Sequence, residues 1–217
     1  TNYFYLKKVA SFKKKVILST GMCTMKEINQ AIKLLIQGGL KKNKITLLHC
    51  STEYPANINL LNLKAIKTLK YFYNVETGYS DHSVSTLVPS VAVALGAKII
   101  EKHITLNNNL NGPDHKSSLN PKNFSIMVDN IRETERSLGD GIKKPNIKEK
   151  KNLKIVRKSI VAKRNIKKSE KFSLSNITFK RPGYGISPMK VKKILGKKSK
   201  KKFSYDDLIT LWKKKNL

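Results

Sequence analysis

Along the first two thirds of the chain, short apolar runs alternate with longer segments of helical period, the pattern that βα units produce. Residues 15–19 read as a buried strand, and Thr24 with Glu27 supplies a capping box for a helix that stops at Gly38 and Gly39. Residues 45–49 form the next strand, followed by a loop over 50–59 and a helix to about Tyr73. A third strand starts at 75–79, an apolar helical stretch spans 84–96 despite Pro89, and residues 98–104 form a fourth strand. A polar loop then leads to a helix beginning at Asn120 and Pro121. Four consecutive βα units predict a parallel sheet, either open and doubly wound or part of a closed barrel. Both architectures gather ligand sites at the carboxyl ends of the strands, so functional side chains are expected just after each one.

Beyond Gly139 the pattern changes. Residues 141–154 form a lysine-rich connection with Pro145 as a breaker, which reads as a linker between a first domain over 1–146 and a second over 155–217. The second shows β-like pieces at 157–163 and 177–180, a Pro182-Gly183 turn and helical fragments near 187–195 and 205–211. About sixty residues is near the lower limit for an independent core, so a small β-rich module that packs on something else is expected.

Charge changes the picture in one respect. The 217 residues carry 45 Lys and Arg against 14 Asp and Glu, a formal net charge of +31 that attracts polyanions. The lysines are spread along the chain, however, and no nucleic-acid recognition motif with interleaved aromatics accompanies them, so nucleic acid is an unlikely main partner. No apolar run approaches the roughly 20 residues of a membrane span, and no secretory signal is evident, which points to a cytoplasmic protein. Cys23 and Cys50 lack metal-ligand spacing and are expected to be reduced and structural.

The candidate chemistry lies where the βα pattern places it. The four histidines are His49, His82, His103 and His115, and three have an acid within two positions although acids are scarce: Asp81 with His82, Glu101 with His103, and Asp114 with His115. In a strand, residues two apart share a face, so Glu101 and His103 point one way and Lys102 the other. With His82 on the neighbouring strand end they form a set able to hold a divalent metal while leaving positions open for substrate. A single histidine more often hydrogen-bonds in a core, and only the set favours the ligand reading. Ser19, Thr20 and Gly21 offer hydroxyl and N–H groups before a capped helix, Tyr54 precedes Pro55 in a loop, and Asp114 follows a Gly-Pro turn. Arg181 precedes a rigid turn in a chain that otherwise uses lysine, which hints at a need for a planar guanidinium.

In order, Leu18-Ser-Thr-Gly-Met22, Leu48-His-Cys-Ser-Thr-Glu-Tyr-Pro55, Gly78-Tyr-Ser-Asp-His82, Ile100-Glu-Lys-His103, Gly112-Pro-Asp-His-Lys-Ser-Ser118 and Lys180-Arg-Pro-Gly-Tyr-Gly-Ile-Ser-Pro188 resemble motifs of the sialic acid (nonulosonate) synthase family. The resemblance implies an α/β fold made of the C-terminal half of a TIM (β/α)8 barrel, strands five to eight, followed by a small antifreeze-like (SAF) domain. It implies a metal-dependent condensation of phosphoenolpyruvate with N-acetylmannosamine or a related N-acylated amino sugar, releasing phosphate, with Mn2+ or Mg2+ on His82 and His103. By the same resemblance Glu101 orients or deprotonates water, Asp114 and Tyr54 contact the amino sugar, and Ser19 and Ser80 contact phosphoenolpyruvate. Thr52 stands where some members carry asparagine. Arg181 is expected to reach the sugar's acyl group in the partner's site of a domain-swapped homodimer. The family barrel's first four strands, and with them phosphoenolpyruvate-holding groups, have no counterpart in this chain, which begins at Thr1. The alternatives are a truncated, catalytically silent remnant that binds sugar or assembles with a full-length subunit, and a basic nucleic-acid-binding protein.

Overall fold

The computed structural model describes residues 1–210, which divide after Gly141 into two compact units. The first contains helices α1 (Tyr3–Ser11), α2 (Met25–Gln37), α3 (Ala65–Tyr73), α4 (Val88–Ala94) and α5 (Pro121–Leu138) and strands β1 (Val16–Ser19), β2 (Ile45–Cys50), β3 (Glu76–Asp81) and β4 (Ile100–Lys102). All four strands pair in parallel, in the order β1-β2-β3-β4.

That order resolves the choice the βα pattern leaves open. A doubly wound sheet reverses its strand order and carries helices on both faces, whereas a barrel adds each strand beside the last and keeps every helix outside. Here Val16, Leu18, Ile45 and Leu47 pack with Ile28, Ala31, Ile32 and Leu35 of α2, and Tyr79 and Ile100 pack toward Ile66 of α3 and Ala92 of α4. The alternate residues Ile17, Ser19, Leu48, Cys50, Gly78, Ser80 and Glu101 share the opposite, concave face by strand alternation and register. The sheet is half of a (β/α)8 barrel.

Local chemistry accounts for the helices. Thr24 and Glu27 form the expected capping box, Glu27 Oε2 lying 2.7 Å from the Thr24 N–H, and α2 buries residues at the 3.6-residue period before Gly39 turns the chain at φ +93°. Pro89 falls in the first turn of α4, where its missing N–H costs nothing, so the helix starts there instead of breaking. Asn120 caps α5, with Pro121 as its first residue. Helix α1 was not expected from the pattern. It is capped by Asn2 and attached through Leu6 and Ala10, while Phe4 and Tyr5 face solvent.

The second unit begins at Ile142. Within the lysine-rich connection, α6 (Ile147–Val156) forms on an Asn146–Glu149 capping box, so residues expected as linker are helical. Strands β5 (Ser159–Ala162) and β6 (Ile177–Lys180) pair antiparallel, and Ile160, Ile166, Phe172, Ile177, Ile194, Phe203 and Ile209 make the core. The fragment at 187–195 is a 3-10 helix over Pro188–Lys193. The helix expected near 205–211 is absent through Thr210: after a turn at 205–206, the Asp206 N–H donates to Ala162 O and the Ile209 N–H to Ile160 O, so this stretch pairs with β5 through Leu208. Leu211 lies outside the described residues.

Candidate active site

The sheet ladder between β3 and β4 ends at the register pairs Ser80 with Glu101 and Asp81 with Lys102. His82 and His103 follow immediately, one residue past the last rung of each strand. Alternation sends Ser80, His82, Glu101 and His103 to the concave face and Asp81 and Lys102 to the helix side. The two imidazole rings stand 5.4 Å apart at 82°. Tyr54 lies over them, stacked on His82 at 4.1 Å and 27° and edge-on to His103 at 5.7 Å. Its loop is tied to the site by the Ala56 N–H, which donates to the His82 carbonyl at 2.9 Å. Asp114 Oδ2 reaches to 3.8 Å from His103 Nδ1. Ser80 Oγ donates to Glu101 Oε1 at 2.6 Å and lies 3.3 Å from His82 Nε2.

Ser19 occupies the carboxyl end of β1 on the same face, opposite Leu48 in register. Thr52 joins that rim from the next loop: its Cγ2 lies 2.7 Å from where a side chain on Gly21 would begin, so Gly21 permits the two loops to touch. Ser19, Thr52, Tyr54, Ser80, His82, Glu101, His103 and Asp114 therefore collect at one end of one sheet. Arg181 belongs to the second unit, where it is exposed and its Nε donates to Val156 O at 2.9 Å.

Electrostatics separate the remaining candidates. His49 points to the helix side, its Nε2 2.7 Å from Leu61 O and its ring stacked on Tyr79, so it is a satisfied core histidine. His115 Nδ1 is held by Thr105 Oγ1 at 2.8 Å within its own loop. Burial pushes the Cys50 thiol up, which keeps it protonated and inert. Partial desolvation, followed by the nearby Asp114, Cys50 and Glu101, raises the Tyr54 hydroxyl above the usual phenol range, so it serves as a neutral hydrogen-bonding group.

The donor chemistry fits a divalent cation. His82 Nδ1 contacts the Ser51 carbonyl, and a carbonyl only accepts, so the proton sits on Nδ1 and the Nε2 lone pair is left for a ligand. Among the described residues no three His, Cys, Asp or Glu side chains converge as a metal-ligating group, and Glu101 is engaged with Ser80. The donors available here are the imidazoles of His82 and His103.

One group escaped the sequence reading. Asp81, adjacent to His82, suggests an acid in the site, yet its carboxylate is fully buried behind it: Oδ2 accepts from Lys102 Nζ at 2.7 Å, and Oδ1 from the Ser83 N–H at 2.9 Å and Tyr79 OH at 3.3 Å. Lys102 also donates to the Ser83 carbonyl. Alternation alone puts Asp81 and Lys102 on the far face, but their pairing depends on a register that no local pattern displays.

The NeuB family model matches residues 1–143 and the SAF domain model residues 157–211. The chain belongs to the NeuB family. Among its NeuB relatives, the N,N'-diacetyllegionaminic acid synthase of Campylobacter jejuni is 51% identical over 209 residues, covering 96% of this chain and 63% of that protein. The N-acetylneuraminate-9-phosphate synthase of Homo sapiens is 32% identical, covering 96% of this chain and 58% of that protein. A solved N-acetylneuraminic acid (sialic acid) synthetase from Leptospira borgpetersenii superposes with a TM-score of 0.63 at 37% identity, over 69% of this chain and 52% of that one. The chain thus spans about three fifths of the curated relatives it matches. No helix among the described residues is long and apolar enough to cross a membrane.

Proposed function

We propose that this chain carries the acceptor-sugar and metal side of a nonulosonate synthase site, in which the enol carbon of phosphoenolpyruvate joins the aldehyde carbon of an N-acylated amino sugar. The observation that supports it most is the convergence of His82, His103, Tyr54, Ser80, Glu101 and Asp114 at the carboxyl ends of β3 and β4. In the reaction C3 of phosphoenolpyruvate forms a bond to the aldehyde carbon, water adds to C2, and phosphate leaves with its bridging oxygen, giving a 2-keto acid.

His82 and His103 would hold Mn2+ or Mg2+, and such an ion supplies Lewis acidity to the aldehyde oxygen. The remaining work falls to this chain's own groups. Glu101, held as an acceptor by Ser80, takes a proton from or aligns the water that attacks C2. Tyr54 and Asp114 bracket the histidines and offer a donor and an acceptor to sugar hydroxyls. Ser19 and Ser80 reach toward the anionic substrate from strand ends two positions apart in the sheet. Thr52 lines the same rim, and Arg181 contacts the acyl group from the second unit of a partner protomer. Positioning two substrates on a preformed rim is the main contribution of such groups.

The Campylobacter relative's name specifies two acetyl groups, which makes a diacetylated amino sugar the first acceptor to test, with N-acetylmannosamine second. The test is to incubate the protein with phosphoenolpyruvate, Mn2+ and each acceptor, follow phosphate release, and identify the product by mass. Phosphate release without a product of summed carbon skeleton refutes the condensation.

A further inference from the structure

We propose that the buried Asp81–Lys102 pair is a positioning device that fixes the orientation of His82. On β3 the order Ser80, Asp81, His82 alternates concave, buried, concave, and on β4 Glu101, Lys102, His103 does the same. Each strand therefore places one member of the pair between two site residues, and the register sets the members opposite each other at the last rung of the ladder. Past that rung β3 and β4 no longer pair with each other: the His103 carbonyl accepts from the Leu119 N–H at 3.0 Å and the His82 carbonyl from the Ala56 N–H at 2.9 Å, which leaves the residue after His82 to be held from the helix side. The pair does this: Asp81 accepts the Ser83 N–H and Lys102 donates to the Ser83 carbonyl, so both backbone groups of the residue following His82 are held. The Tyr79 hydroxyl completes the carboxylate's partners from below. Both charged side chains are at most 1% exposed, so the pair is shielded from solvent exchange and competing ions.

A buried ion pair is weak evidence for stability, because a well-packed apolar replacement often stabilises as much. The hydrogen bonds to the Ser83 backbone are the part an apolar pair cannot reproduce, and they lie next to His82. Through them the pair maintains the ring rotation that brings His82 Nδ1 to the Ser51 carbonyl. The consequence for metal binding rests on the reading given under Proposed function, whereas the consequence for the ring does not.

Asp81→Asn, Lys102→Met and the double apolar variant Asp81→Leu/Lys102→Met are compared with the unaltered protein by two measurements. NMR follows the ring Nδ1–H resonance of His82, assigned by its disappearance in His82→Gln, and calorimetric titration with Mn2+ alone gives the affinity. The single variants should lose or broaden the ring resonance and bind Mn2+ about 10- to 100-fold more weakly, the range expected when a group supporting a metal ligand is removed. The double variant should recover thermal stability without recovering the resonance or the affinity. Folded variants that keep both the resonance and full affinity overturn the proposal, as does a double variant in which both return together with stability. Absence of the resonance in the unaltered protein also overturns it. If the unaltered protein binds no Mn2+, the metal reading falls, and the ring resonance alone decides whether the pair positions His82.

Discussion

Ser80 and Glu101 face each other across the β3–β4 register, and the serine hydroxyl donates to the carboxylate at 2.6 Å. The bond engages one carboxylate oxygen and fixes the side chain on the concave face. Replacing Glu101 with Gln keeps the shape and removes the base. Turnover should fall by about 10²- to 10⁴-fold, the usual contribution of a general base, with the apparent affinity for the amino sugar nearly unchanged. Ser80→Ala, which frees the carboxylate but retains its charge, should cost about tenfold, as for one hydrogen bond to a charged group. Steady-state kinetics at saturating substrates check both, and an unaltered kcat in Glu101→Gln removes Glu101 from the mechanism.

The proposed assignment of His82 and His103 as ligands predicts an obligatory divalent cation. Exhaustive chelation should abolish turnover and added Mn2+ should restore it, while His82→Ala and His103→Ala should remain inactive at any Mn2+ concentration yet keep the circular dichroism of the fold. Full activity in the chelated protein would sink the metal assignment.

Gly78 tests how closely the site depends on the sheet. A side-chain carbon there would begin 2.5 Å from the Ile99 carbonyl and 2.5 Å from Leu48 Cδ2, and the first of these is backbone that cannot swing away. Gly78→Ala must therefore push β3 from β4 and should cost about 1–3 kcal/mol in folding stability, as overpacking typically does. Because the displaced strands carry Ser80, His82 and Glu101, kcat should drop by more than the loss of folded protein explains. Denaturant unfolding and kinetics on the folded fraction provide the check.

In the second unit, Glu170 has its pKa held down to about 2 by the Lys167 N–H, then by Arg164 and the Asn176 amide. A carboxylate whose folded pKa lies below its unfolded value near 4.5 binds fewer protons folded than unfolded. Its contribution is therefore fully present above about pH 4.5 and is lost as the pH falls toward about 2. Glu170→Gln should be less stable than the unaltered protein at neutral pH, and the difference should shrink across that window in thermal melts. A difference that is constant with pH contradicts the assignment.

How much of this was legible in the sequence depended on whether a residue's partner was local. The Thr24–Glu27 capping box, the β1 to β4 spans and the opposed faces of Glu101 and Lys102 follow from patterns within a few residues. Closure into a half-barrel did not, because alternation is the same in open and closed sheets and only the strand order β1-β2-β3-β4 with helices on one face decides it. Helix α1 was hidden because only Leu6 and Ala10 of its nine residues are buried, too few to set a period. Helix α6 buries none of its residues, so its lysines read as linker although Asn146 and Glu149 cap it. In the site, the histidines and Tyr54 could be found from their motifs. The Asp81–Lys102 bond is a long-range pairing between two strands and carries no signal in either one.

Helix α6 also bears on the exchange of second units between protomers. An extended connection over 141–154 would reach several nanometres, but the ten helical residues of α6 rise only about 15 Å, leaving residues 142–146 to supply about 17 Å more if extended. Under the exchange of second units proposed above, Arg181 acts in a partner's site. Arg181→Ala should lower activity by weakening acyl-group contact, raising KM more than it lowers kcat. Mixing Arg181→Ala protein with His82→Ala protein, assayed at an amino-sugar concentration far below the raised KM so that each is nearly inactive alone, then separates the two arrangements. If sites are shared between protomers, a mixed dimer contains one site with neither lesion and one with both, and activity returns to about half that of the unaltered dimer per mixed species. If each site is built within one chain, every site in the mixture carries a lesion and no mixing ratio restores activity.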